Sequence, residues 1–155
     1  MSAPLLLLSL LLSLLLLSLL GACHKAPPQT AYALGSLGLE VRTSGPVATA
    51  MRDQEATLTL RPGARTPTEL SLSAAPPGGA PPPGATSLPL AAPLQGSYTL
   101  TRSDGGSGGA EATLRGQIRG PTRRWIFTCH AQSESEHPEA ECLSLLATLR
   151  PTSAP

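Results

Sequence analysis

Three sets of side chains in this sequence have the types and spacings of reactive chemistry. The first is Cys23, which follows Leu19-Leu20-Gly21-Ala22 at the end of a long apolar run. Its sulfur is a nucleophile once ionised. The second is Cys129-His130, then His137, then Cys142. Those ligand types suit zinc, and the two sulfurs equally suit a disulfide. If the segment is a strand, His130 points away from the face that carries Cys129, which speaks against one ion holding both. The third is Gly105-Gly106-Ser107-Gly108-Gly109, a match to the G-x-S-x-G nucleophile elbow. An elbow needs a strand entering, a helix leaving and a large α/β sheet around it. Here an alternating, strand-like segment follows instead, and a glycine loop loses too much entropy to hold a serine still. Ser107 is therefore read as part of a hairpin loop, and His137, just before Pro138, as a helix cap rather than a base. No catalytic residue and no cofactor is assigned.

The elements that position these residues are mostly short strands. Leu37, Leu39 and Val41 alternate with polar or small residues, as do Leu58 and Leu60, then Leu70 and Leu72. That is the period of a half-buried strand. Val47, Thr49 and Met51 make a weaker candidate. Farther on, Tyr98 and Leu100 alternate with threonines, and Leu114 and Ile118 lie opposite Arg115, Gln117 and Arg119. Trp125, Phe127 and Cys129 share one strand face. Pro138 to Leu149 is the one helix: proline suits its first position, Glu139 and Glu141 its positive end, Arg150 its negative end. Pro151 should stop it. Cys142, Leu145, Leu146 and Leu149 form one buried stripe. The expected fold is α+β, a small mainly antiparallel β domain over residues 31–150 with one C-terminal helix, followed by a tail at 151–155.

Two segments stand apart from this pattern. Residues 76–93 are so rich in proline that regular ladders and helices are excluded, and a plain linker or long exposed loop is expected. There is also a faint echo: Glu55-Ala56-Thr57-Leu58 and Glu111-Ala112-Thr113-Leu114 are each followed by Pro-Thr and a strand. Two similar hairpins would account for it. A formal net charge of +1 with no basic stripe leaves nucleic-acid binding without an electrostatic footprint.

Residues 1–23 resemble the signal peptide and lipobox of a bacterial lipoprotein. From Leu5 to Leu20 the chain is only leucine and serine, and Gly21-Ala22 precede the cysteine. The resemblance implies a signal peptide over 1–22, cleavage before Cys23, a diacylglyceryl thioether on its sulfur, and a lipidated tether over 23–30. The partner it implies is a membrane, held through the lipid, at the cell envelope. His24 in place of aspartate implies the outer membrane in a Gram-negative host. The alternative, an uncleaved membrane helix, is slightly short of the roughly 20 residues that span a bilayer. With Cys23 acylated in an oxidising compartment, Cys129 and Cys142 are the remaining even pair and read as a disulfide. Both fall on faces assigned to the core, one on a strand and one on the helix.

Residues 125–147 resemble, locally, the Streptomyces subtilisin-inhibitor family, through Thr128-Cys129, His137-Pro138 and Cys142 at the opening of a leucine-rich helix. That family's reactive-site loop comes after this helix, where the chain offers no counterpart, so no reactive-site residue is carried over. The expected function is a non-catalytic, lipid-anchored envelope lipoprotein with a small binding or structural domain and an envelope protein as partner. Serine-protease inhibition is the alternative, with a protease as partner, and a small surface hydrolase comes third.

Overall fold

The structure, a computed structural model, describes residues 27–106, 109–134 and 136–152. The leader 1–22, Cys23 and Ser107 lie outside them. The described residues open with β1 (Thr30–Ala33) and a 3-10 turn (Gly35–Leu37), followed by β2 (Leu39–Thr43) and β3 (Val47–Arg52). β4 (Glu55–Leu60), β5 (Thr68–Ala75), β6 (Thr86–Leu88), β7 (Gln95–Asp104), β8 (Ala110–Arg119) and β9 (Arg124–Ser133) follow. The chain closes with a helix, α1 (Glu139–Ala147), and a two-residue strand, β10 (Arg150–Pro151). Every strand pairing is antiparallel.

These strands make two sheets. The larger has seven strands in the order β3-β4-β5-β9-β8-β7-β6, and the smaller runs β1-β2-β10. Alternation decides which face is buried: Leu70, Leu72, Leu114, Ile118, Phe127 and Cys129 all point to one side of the large sheet and are sealed from solvent. α1 and the small sheet cover that side, adding Leu145, Leu146 and Leu149 from the helix segment and Leu39 and Val41 from β2. Residues 31–75 and 96–150 thus share one core. Each buried leucine contributes roughly 2 kcal/mol of transfer free energy.

The internal echo falls on matching elements. β3-β4-β5 and β7-β8-β9 are two three-stranded meanders joined along β5 and β9. Ala56 and Leu58 oppose Leu72 and Leu70 in one, as Ala112 and Leu114 oppose Ala131 and Cys129 in the other. Leu70 and Cys129 face each other across the join.

Four expectations need correcting. The Pro-rich segment 76–93 does carry a ladder, because the gap between Pro83 and Pro89 admits β6, which pairs as an edge strand with β7. Leu37 leaves the strand expected for it, because Gly38 adopts φ 67° and breaks the extended run after the 3-10 turn. The helix begins at Glu139 and ends at Ala147, not Leu149. Thr148 ends it by donating its hydroxyl to the Leu145 carbonyl (2.7 Å) and accepting the Arg42 amide (3.1 Å). Nor does Pro151 open a free tail: it pairs with Leu39 of β2, and the Thr152 amide donates to the Gly38 carbonyl at 3.0 Å. Arg150 sits where the dipole wants a cation, its guanidinium donating to the carbonyls of Ala147 (2.9 Å) and Leu149 (2.7 Å).

Candidate functional site

Cys129 on β9 and Cys142 on α1 are joined in a disulfide, with their Cα atoms 5.9 Å apart. Both sulfurs are consumed there, and His130 points to the opposite side of β9, where its Nδ1 lies 3.2 Å from the Thr113 hydroxyl. No His, Cys, Asp and Glu grouping among the described residues could hold a metal ion. Of the glycine motif, Gly105, Gly106 and Gly109 are described; they lie between β7 and β8, with the Gly105 amide donating to the Gly109 carbonyl at 2.7 Å. A strand leaves it, so the local geometry is not that of an elbow. The N-cap of the helix is Pro138 and no side chain caps it, so His137 does not cap it as expected; its carbonyl accepts the Ala140 amide at 3.1 Å.

Two acids at the start of α1 do more than face the helix dipole. Glu141 accepts from Arg61 at 2.8 Å and from the buried Thr68 hydroxyl, tying the helix to the end of β4 and the start of β5. Glu139 is buried and paired with Arg102 of β7, with the His137 ring 3.3 Å away. The Arg102 hydrogen bond holds the Glu139 carboxyl below the usual carboxylate range, although burial opposes it. A lowered pKa contributes stability above the ordinary carboxylate value, and that stability is lost as pH falls through the lowered one. Arg102→Met should therefore be less stable than the parent at neutral pH, with the two converging as acid protonates Glu139. Urea midpoints measured across the acid range would test this, and a gap that stayed constant with pH would contradict it.

The side of the large sheet away from α1 is open. Its central rows are hydroxyls, with Thr57 and Ser71 3.5 Å apart, then Ser73, Thr128 and Thr113. Ile126 stands among them on β9, 48% exposed. Glu55, Glu69 and Arg115 flank this patch of hydroxyls on the same face, opposite Ser73, His130 and Thr128. The patch has the character of a protein-binding surface more than that of a catalytic cleft.

The domain that carries this face also has a sequence signature. Residues 43–150, from the end of β2 to the start of β10, match the family model of the Type six secretion immunity 3 domain, Tsi3. The chain belongs to that family. No curated protein matches the chain. The Tsi3 match takes in both meanders, the disulfide and α1. Sequence reasoning found the stapled cysteines. It missed the Arg102–Glu139 and Arg61–Glu141 pairs, whose partners lie far apart in the chain, and it missed the open face as a unit. The signal for that face was present in the threonines and serines that alternate with the core leucines.

Proposed function

We propose that this chain protects its own cell by binding a toxin delivered by type VI secretion, acting as a non-catalytic protein tethered to the envelope through Cys23. The observation that carries this reading is the match to an immunity domain over residues 43–150. The open face around Ile126 supports it, because hydroxyls around an exposed apolar residue, rimmed by Glu55, Glu69 and Arg115, can dock another protein without tuned titratable groups. The apolar run ending Leu20-Gly21-Ala22-Cys23 supports the tether.

A strain lacking the protein should be killed on contact by its parent, and spared when the parent's type VI apparatus is disabled. Restoring the chain should restore survival. Ile126→Glu should abolish protection with folding intact, and Cys23→Ala should weaken it by releasing the protein from the membrane. Indifference of the deletion strain to its parent would refute the proposal. The alternative, serine-protease inhibition, draws support from the disulfide-closed strand and helix of residues 125–147. It predicts one-to-one inhibition of a subtilisin-like protease.

A further inference from the structure

Near the β6 edge of the open face, three buried polar atoms find no hydrogen-bond partner: Ser97 Oγ, Gln117 Nε2 and Arg124 Nε. They converge. Ser97 and Gln117 oppose each other across β7 and β8, and the Arg124 guanidinium donates to Gln117 Oε1 at 3.3 Å. That bond fixes the amide, because the opposite orientation would set an NH2 against a cation. Gln117, only 6% exposed, therefore has a donor to spare. With Ser97 and Arg119 it lines a small cavity of about 110 Å³. A wider cleft of about 470 Å³ continues from it, sharing Pro81 and Arg119, between the Pro77–Pro81 strap and the turn that carries Arg123 and Arg124.

The strap is seated on these arginines. Arg119 donates to the Gly79 carbonyl. Gly79, at φ 89°, lets the backbone pass so close to Arg124 that a Cβ there would lie 3.0 Å from its Cζ. None of Arg119, Arg123 and Arg124 makes an ion pair among the described residues, and no Asp or Glu lines either cavity. A cavity of about 270 Å³ on another part of the surface differs in this respect. It lies beside Arg42 and Arg61, whose charges are already met by Glu40 and Glu141.

The Arg123 guanidinium turns away to the Ser36 carbonyl (3.0 Å), but an unspent amide donor beside Arg119 and Arg124, neither of them in an ion pair, calls for an anion with several acceptor oxygens. We propose that this pocket binds a phosphate group, either the free ion or a monoester headgroup. Guanidinium forks match phosphate geometry, and a dianion answers the two positive charges of Arg119 and Arg124 better than a carboxylate does. The strap, the Gln117 amide and the arginines then form one site, independent of the toxin-binding reading.

Calorimetric titration of the full chain with inorganic phosphate, at fixed ionic strength, tests this directly. Gln117→Leu removes a buried donor without a partner, so the empty protein should be as stable as the parent or more so. Its phosphate affinity should fall about tenfold or more, as should that of Arg124→Met. Dihexanoyl phosphatidate binding more tightly than inorganic phosphate would assign the site to a lipid headgroup, and equal binding to the free ion. Either result supports phosphate capture. Gln117→Leu titrating like the parent, acetate binding as tightly as phosphate, or no heat with either phosphate compound would overturn it.

Discussion

Trp125→Ala should lower the free energy of unfolding by about 3–5 kcal/mol, the range for emptying a large aromatic site. Trp125 is 4% exposed on β9, between Ala74 of β5 and Ile118 of β8. Its indole N–H donates to the Leu37 carbonyl at 3.1 Å, tying the 3-10 turn before β2 to the large sheet. Gly120 leaves room for the ring, since a Cβ there would sit 3.2 Å from it. Truncation therefore removes packing and also strands a buried carbonyl. Trp125→Phe separates the two effects: it keeps most of the ring and should cost about 1–3 kcal/mol, the penalty for an unsatisfied buried acceptor. Denaturant unfolding followed by far-UV circular dichroism gives both numbers, because fluorescence loses its only tryptophan. A loss below 1 kcal/mol for the alanine variant would mean that the small sheet is not fastened here.

Removing the disulfide should cost about 3 kcal/mol. The bridge closes a loop between residues separated by 13 positions, and chain-entropy reasoning assigns that magnitude to a loop of this length. Local structure makes the loss matter, because α1 has nine residues and an isolated helix that short is marginal in water. Cys129→Ala with Cys142→Ala is the suitable pair, since serines would bury new hydroxyls at two fully enclosed positions. The double variant should unfold at a markedly lower denaturant concentration than the oxidised parent. Reductant should bring the parent down to a similar value, and slowly, because the sulfurs are sealed. Equal midpoints with and without reductant would show that packing alone holds the helix.

The sequence exposed what depends on near neighbours and concealed what depends on distant ones. Alternation at Leu58, Leu70, Leu114 and Phe127 specifies strands and their buried side, because strand side chains reverse with every residue. The i, i+3, i+4 spacing of Cys142, Leu145 and Leu146 likewise fixes a helix face, and the two faces together explain the disulfide. Arg150–Pro151 pairing with β2 was illegible, because a proline after a helix reads as a stop and only the fold brings Glu40 alongside. β6 was hidden for a similar reason: three residues between prolines carry no period. The candidate sites are less legible still. Gln117 reads as one more outward-facing polar residue of β8, and only the strap folded over it reveals a donor with nothing to donate to. Ile126 alternates with Trp125 and Phe127, so it falls on the face away from the core, and there it stands 48% exposed.

The two margins of the seven-stranded sheet differ in what they allow. At β6 the ladder is three residues long and closes against Pro89, so few backbone groups remain to receive another chain. At β3 it runs for six residues without a proline, largely exposed, and no further strand lies beyond it among the described residues. Unpaired N–H and C=O groups along such a margin are a template for strand addition, whether by a partner's segment or by another copy in a crowded sample. Any extension of this sheet therefore has one available direction, away from the prolines.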